Sequence, residues 1–364
     1  MKEMSWERSM KGLILSGGKG TRLRPFTYTG AKQLVPVANK PVLFYAIEDL
    51  VEAGITDIGI IVGDTGDQVR AAVGDGSKFG ARVSYIEQDA PRGIAHGIKI
   101  ARDFIGDEKF VLFLGDNFIR DGIVPQVAAF RNGSMNAQII LYKMDDPSAM
   151  GVAVLDGDER VTRLVEKPKQ FVSPYAVIGI YMFDQNVFQA VNAIKPSARG
   201  ELEITDTIQY LIDRKLNVRA HLLEGWWIDT GKMADILEAN RLVLDVLSPR
   251  MEGSVDAASR IEGRVVLQKG AVVINSTIRG PSIIGERTRI ENAYVGPYTS
   301  IYHDCVIQNC EIEHSVVLEN SRIHDLSRRL ADSLIGRNVQ VARTDGPAQT
   351  LKMMVGDYSQ VGIL

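Results

Sequence analysis

The sequence predicts an α/β chain in two parts. A Rossmann-like catalytic domain with a mainly parallel sheet comes first, and a left-handed parallel β-helix of hexapeptide repeats follows. Three observations predict this. Up to about residue 245, short apolar runs rich in β-formers alternate with helix-like stretches, the pattern of a parallel sheet covered on both faces. Beyond residue 263 the texture changes: Ile278, Ile284, Ile290, Val295, Ile301, Val306, Ile312, Val317 and Ile323 recur at five or six residues. That spacing stacks one aliphatic side chain per short strand into a prism. Between the two textures, "VLSPRMEGSVDAASRIEG" has no period and contains Pro, Gly and Ser. The expected division is an amino-terminal extension at 1–10, a catalytic domain at 11–247, a linker at 248–262 and the β-helix at 263–364, closed by "LKMMVGDYSQVGIL".

The first part is read from five runs, "GLILS", "DIGIIVG", "RVSYIEQ", "KFVLFLGD" and "AQIILYKM", with helical stretches such as 42–53 and 125–131 between them. In such sheets ligands bind outside the carboxyl ends of the strands. Ser16, Gln88 and Asp116 fall at those ends. Met10 opens the first strand, and "MKEMSWERS" before it carries acidic residues and no apolar core, unlike a signal peptide.

Composition narrows the function. A formal net charge of -3 gives no basic footprint for nucleic acid. No apolar run approaches the roughly 18 residues of a membrane span. Cys305 and Cys310 form neither a zinc pattern nor a disulfide framework, which suits a reducing cytoplasm.

The chemistry concentrates in a few stretches. "GLILSGGKGTRLRPFT" puts three glycines after a strand, so that backbone N–H groups can approach a ligand, and adds Arg22 and Arg24 as phosphate forks. It matches neither the Walker nor the dinucleotide pattern. Lys32 follows ten residues after Arg22 in a Pro-punctuated segment, close enough in sequence to reach the same phosphates. Asp116 ends one apolar strand and Asp229, in "GWWIDTGK", ends another. A carboxylate so placed is costly unless paired or holding a cation, and two of them suit one magnesium ion on nucleotide phosphates. In "LVEKPK", Glu166 and Lys167 are neighbours, so both face one ligand only if the strand ends or bends there. The five histidines, His96, His221, His303, His314 and His324, pair with no nucleophile in the sequence and are read as structural or surface residues.

Taken together, "GGKGTRLRPFT", "KQLVPVANKP", "EQDAPRGIAHG", "LGDN", "EKP", "PSARGELEITD" and "WWIDTGK" resemble the sugar-phosphate nucleotidylyltransferase family, in its long-form branch that transfers thymidylyl groups to glucose 1-phosphate. The resemblance implies dTTP and glucose 1-phosphate as substrates, Mg2+ as cofactor and dTDP-glucose and pyrophosphate as products. It implies catalytic roles for Arg22, Lys32, Asp116 and Asp229, with the two aspartates on the metal. Leu15, Gly17, Gly18, Gly20, Thr21, Arg22, Gln88 and Gly93 match nucleotide-binding positions, Gln88 and the Gly93 backbone those that read thymine. Asn117, Gly151, Glu166, Lys167, Val177 and Trp227 match the sugar-phosphate side. Met150 and Ile178 depart from the family pattern and bear on sugar selectivity. The resemblance also implies a homo-oligomer assembled partly through the β-helix, with no nucleic-acid or membrane partner.

The competing readings are a UTP- or GTP-using relative, a β-helix with acyltransferase activity, and a non-catalytic sugar-nucleotide-binding regulator or scaffold. Gln33 in "AKQL" stands where guanylyltransferases of this kind usually read "PKP". The motif carboxylates and Arg22 are all present, against the non-catalytic reading.

Overall fold

The structure, a computed structural model, describes residues 9–18, 20–343 and 353–362. Of the extension expected at 1–10, residues 1–8 lie outside the described residues and Met10 is already the first residue of a strand; the ends of the expected closing segment also lie outside the described residues, and 353–362 contains no strand. The chain forms two compact units, Met1–Lys19 with Val42–Asp229, and Gly20–Pro41 with Thr230–Leu364.

The first unit is built on a nine-stranded sheet. Its strands are β1 (Met10–Leu15), β2 (Asp57–Val62), β3 (Arg82–Glu87), β4 (Lys109–Leu114), β6 (Ala137–Lys143), β7 (Gly151–Leu155), β8 (Val161–Glu166), β9 (Tyr175–Phe183) and β10 (Val218–Leu222). A separate two-stranded ribbon pairs β5 (Asn117–Ile119) with β11 (Trp227–Asp229). The path β3-β2-β1-β4 is parallel throughout. The sheet then continues through β9, which runs antiparallel to β4 and β6. An antiparallel extension on a parallel core is common in large sheets. All five strand runs read from the sequence are strands; "YAVIGIYMF", buried along nearly its whole length, is a further strand that the sequence reading does not include.

The chain lays down β1, β2 and β3 outward and then returns to place β4 on the other side of β1. Loops leaving β1 and β4 therefore diverge, opening a crevice at the carboxyl ends. Ser16, Gly63, Gln88 and Asp116 all follow the ends of these strands. Backbone bonds from Ser16 N–H to Ile61 O and from Gly115 N–H to Leu15 O, 2.9 and 3.0 Å, hold that edge together. Below it, Leu13, Ile61, Leu112, Phe110 and Tyr181 are buried in a continuous core with the helices Ile94–Ile100 and Ile204–Asp213.

The second unit contains three parallel sheets that wind around one axis of aliphatic side chains, a parallel β-helix. Register positions repeat about every 17 residues: Val266, Ile283, Ser300, Val316 and Leu334 stack in one sheet, and Val273, Ile290, Ile307 and Ile323 in the next. The hexapeptide reading holds with one shift. The buried residue of its coil is Ile307, and Val306 is half-buried. The segment expected as a linker is also different. Arg250–Met251, Ser254–Val255 and Arg260–Glu262 pair with later coils and are the first turn of the β-helix. Their side chains are mostly exposed, which is why no apolar period marks them. Cys305 and Cys310 are free thiols inside this prism, and burial pushes each up to about 11, so they serve as small apolar residues.

Corners of the β-helix are turned by residues with positive φ, among them Asn275, Asn292 and Asn309 at 42°, 48° and 49°. Their amides form a ladder: Asn275 donates to Asn292, Asn292 to Asn309 and Asn309 to Asp325, at 2.8, 3.2 and 2.7 Å. Asparagine tolerates this conformation, whereas other L-residues lose roughly 1–2 kcal/mol there. Asn292→Ala is expected to lower the unfolding free energy by about 2 kcal/mol, read from denaturant midpoints. An unchanged midpoint would show that the ladder contributes nothing.

Gly20–Pro41 packs on the β-helix side of the division. Asn240, fully buried on helix Met233–Val246, accepts from Ala38 N–H at 3.0 Å and Ser300 Oγ at 2.6 Å and donates to Tyr298 O at 3.0 Å. Asn39 Nδ2 donates to Ile301 O at 2.7 Å. Leu23, Phe26 and Val35 from this strap meet Met233, Ile236, Val316 and Leu334 around a small apolar hollow. The sequence reading assigns the strap and this helix to the catalytic domain; in the structure they are compact with the β-helix.

Candidate active site

In the first unit the predicted residues form three groups. The first surrounds the glycine loop after β1. A Cβ on Gly17 would stand 2.5 Å from Gln88 Oε1, so glycine there lets the loop and the glutamine amide approach. Gln88 follows β3, and its N–H donates to Val62 O at 2.9 Å. Gly93 has φ of 99° and a Cβ there would lie 2.5 Å from Leu202 O, so only glycine fits this close crossing. Leu15 ends β1, and Gly18 follows Gly17 in the same loop.

Asp116 and Asp229 form the second group. Asp229 pairs in register with Asn117, next to Asp116. A short antiparallel ribbon thus places Asp229, 113 residues further along the chain, opposite the residue that follows Asp116. Asn117 is its hub: its Nδ2 donates to Asp116 Oδ1 at 3.0 Å, and its Oδ1 accepts from Trp227 Nε1 at 2.7 Å and Gly179 N–H at 3.2 Å. A Cβ on Gly179 would sit 2.7 Å from the Asn117 amide, so that glycine makes room for the hub. Among the described residues no cluster of three or more His, Cys, Asp and Glu forms a metal cage. A pair of hard oxygen donors is the set magnesium uses when substrate phosphates and water complete its shell.

Gly151, Glu166 and Val177 meet in the third group. A Cβ on Gly151 would lie 2.6 Å from Thr205 Cγ2, 3.5 Å from Glu166 Oε2 and 3.7 Å from Val177 Cβ. Glu166 is the last residue of β8, and Lys167 turns away with φ of 41°, its N–H on Met150 O at 3.0 Å. The strand ends where the sequence required it to, so Glu166 and Lys167 can serve one ligand; their charged ends are 3.9 Å apart. Thr205 Oγ1 donates to Glu166 Oε2 at 3.1 Å, and Arg199 Nη2 to Glu166 Oε1 at 2.9 Å.

In the second unit, Gly20 (φ of 61°) starts a short turn at Thr21–Leu23 that carries Thr21 and Arg22. A Cβ on Gly20 would be 2.8 Å from Lys32 Cβ, so the turn bearing Arg22 rests on the stem of Lys32. Lys32 lies in a single turn, Lys32–Leu34, and not in a continuous helix, as the prolines require.

The sequence pattern of the family described as "Nucleotidyl transferase" matches residues 11–246. The chain belongs to the nucleotidyl transferase family. Two relatives named "Glucose-1-phosphate thymidylyltransferase", from Streptomyces griseus and Streptomyces antibioticus, are 49% and 51% identical over 97% of this chain and 99% of their own. A solved structure of a candidate glucose-1-phosphate thymidylyltransferase from Bacillus anthracis, in complex with sucrose, is 39% identical with a TM-score of 0.62, covering 66% of this chain and 98% of that one. No helix among the described residues is long and apolar enough to cross a membrane.

Two residues that touch these predicted groups carry no signal in the sequence. Arg199 sits inside "PSARGELEITD", where no spacing links it to Glu166. In the structure it binds buried Glu203 at 2.9 Å, which raises its proton affinity further. His96, read as structural or surface, is 8% exposed and lies 3.3 Å from Gln88 Nε2 through Nδ1. An eight-residue separation across a loop and a helix start has no periodic signature.

Proposed function

We propose that this chain transfers the thymidylyl group of dTTP to α-D-glucose 1-phosphate, giving dTDP-glucose and pyrophosphate. The observation that carries the reading is near-full-length identity of about half to the two Streptomyces thymidylyltransferases. The site residues support it through their chemistry. The second pKa of a phosphate monoester is about 6, so the sugar phosphate oxygen is already an anion at pH 7. No general base is needed, which agrees with a site whose predicted members include no histidine.

Arg22 and Lys32 grip the triphosphate and neutralise charge that develops at the α-phosphorus. Asp116 and Asp229 would hold Mg2+, which supplies phosphate charge neutralisation when bound. The backbone of Gly17, Gly18 and Gly20 lines the nucleotide, with Leu15 and Thr21 beside it, and Gln88 with Gly93 reads the base. Glu166 accepts from sugar hydroxyls, and Lys167 with Arg199 holds the sugar phosphate. Gly151, Val177, Asn117 and Trp227 shape the sugar pocket. Held in line, the phosphate oxygen displaces pyrophosphate directly with inversion at phosphorus. Stereochemical analysis with net retention would overturn this route.

Gly151→Ala is expected to raise KM for glucose 1-phosphate about tenfold while KM for dTTP stays within about twofold, the scale of one misplaced methyl in a pocket. Equal changes in both would remove Gly151 from the sugar side. The reaction is tested by pyrophosphate release with dTTP, UTP, GTP, CTP and ATP against glucose, mannose, galactose and N-acetylglucosamine 1-phosphates. Highest kcat/KM for dTTP with glucose 1-phosphate supports the reading, and preference for GTP with mannose 1-phosphate refutes it. The β-helix is further read as an assembly module of a homo-oligomer; a monomeric mass in equilibrium sedimentation of the full chain contradicts that.

A further inference from the structure

We infer that His96 is a positioning residue for nucleobase selectivity: it fixes which end of the Gln88 amide faces the base. This rests on the reading of Gln88 as a base-contacting residue. The amide has two different ends, a carbonyl acceptor and an NH2 donor, and nothing in a glutamine itself decides which points where. Here the nitrogen points to His96 Nδ1 at 3.3 Å and the oxygen lies over the Gly17 backbone. The other nitrogen of the ring, Nε2, faces Asp89 Oδ1 at 3.7 Å, and Asp89 is held by Arg92 at 2.7 Å.

A carboxylate beside Nε2 favours the proton on that nitrogen, which leaves Nδ1 as an acceptor. An accepting Nδ1 takes an N–H from Gln88 and rejects its carbonyl. Gln88 then offers the base an acceptor and one remaining N–H. Thymine and uracil present an N3–H flanked by carbonyl oxygens and match that pair. At N3 and C4 cytosine presents an acceptor and an amino donor, the reverse of thymine's N3–H and O4, so an amide that engages those two positions matches cytosine only when flipped. The relay Asp89, His96, Gln88 thus selects the pyrimidine edge without His96 touching the nucleotide.

The ring sits in a setting that keeps it neutral. Burial lowers its affinity for protons below the ordinary imidazole value; Asp89 opposes this, and Arg92 and Lys99 reinforce it. A proton on Nδ1 turns that nitrogen into a donor, to which the Gln88 carbonyl would swing. Discrimination between thymine and cytosine is therefore full at neutral pH and falls as pH drops through the folded-state pKa of His96, below about 6.5. The ratio of the two nucleotides cancels the titration of glucose 1-phosphate, which is common to both.

The test measures kcat/KM for dTTP and for dCTP, each as substrate with glucose 1-phosphate, in the full-length chain, for wild type, His96→Phe, His96→Asn, Gln88→Ala and the Gln88→Ala/His96→Phe double variant. His96→Phe keeps a ring and removes the acceptor; selectivity for dTTP over dCTP is expected to fall about tenfold or more, the scale of one misdirected base contact. His96→Asn, whose carbonyl can accept the same N–H, is expected to recover part of it. On the Gln88→Ala background His96→Phe should change selectivity no further, since its effect passes through the amide. If Gln88→Ala leaves both selectivity and dTTP KM unchanged, the assignment of the base pocket fails and this inference with it. If Gln88→Ala impairs dTTP use but His96→Phe keeps wild-type selectivity, or acts additively with it, the inference alone fails. Should His96→Phe not fold, the wild-type selectivity ratio between pH 8 and pH 5 decides: a flat ratio overturns the inference.

Discussion

Asp116→Asn and Asp229→Asn should each lower thymidylyl transfer at least about 10²-fold, the scale of removing one preorganised charge from a phosphoryl transition state. The substitution is chosen to leave the ribbon intact. An asparagine at 116 still offers a carbonyl oxygen to Asn117 Nδ2, so the hub that also holds Trp227 and Gly179 is retained. What is lost is negative charge, and with it the attraction for a divalent cation on the nucleotide phosphates. The loss should appear in kcat, with a higher Mg2+ concentration needed for half-maximal rate and a melting temperature close to wild type. Arg22→Ala should show a drop of similar size without the change in Mg2+ requirement, because a cation and not a metal ligand is removed. Wild-type turnover in either aspartate variant, measured as pyrophosphate release, would overturn the assignment of these residues.

These carboxylates also show what a sequence can and cannot display. That each ends an apolar run is visible along the chain, and burial of an unpaired charge is costly enough to make such a position conspicuous. That Asp229 lies opposite the neighbour of Asp116 depends on the register Asp229↔Asn117 of a three-residue ribbon, too short to leave a pattern. The same contrast recurs elsewhere. Glu166 and Lys167 pose a definite question in the sequence, whether the strand stops, and the backbone answers at Lys167 with φ of 41°, not with the extended conformation that the following proline favours. Arg199 and His96 pose none, because each meets its partner, Glu166 or Gln88, only once the chain has folded back through a loop. In the β-helix the aliphatic period marks the buried axis well from Ile274 onward. It is silent over 250–262, where the first coil has little to bury and exposes most of its side chains. The strap at Gly20–Pro41 is the least legible feature. Its family motif is the source of the roles expected for Arg22 and Lys32, but its packing partners lie more than 190 residues further along the chain.

Asn240→Ala should lower the unfolding free energy of the β-helix unit by about 3 kcal/mol, since it strands several buried polar groups at roughly 1–3 kcal/mol each. Asn240 is fully buried, and its side chain satisfies Ala38 N–H, Ser300 Oγ and Tyr298 O at once. The alanine leaves a polar void among them, too small to repack and surrounded by groups that cannot turn to water. Asn240→Asp is no milder. A carboxylate still accepts from Ala38 and Ser300, but it places a second negative oxygen against the Tyr298 carbonyl in a fully buried position. Asn39→Ala sets the lower end of the series. It removes one bond, to Ile301 O, from a partly exposed residue whose φ of 59° also disfavours alanine, so about 2 kcal/mol is expected. The order wild type, Asn39→Ala, Asn240→Ala in thermal midpoint is the direct check, and an Asn240→Ala protein that melts with wild type contradicts it. The consequence reaches function because the residues Asn240 holds end the strap that carries Arg22 and Lys32. A strap released at Ala38 must be ordered again each time nucleotide binds, at an entropic cost of roughly 1–2 kcal/mol per residue fixed. KM for dTTP should therefore rise in Asn240→Ala at temperatures well below its melting point, while KM for glucose 1-phosphate, whose predicted contacts lie in the other unit, changes less.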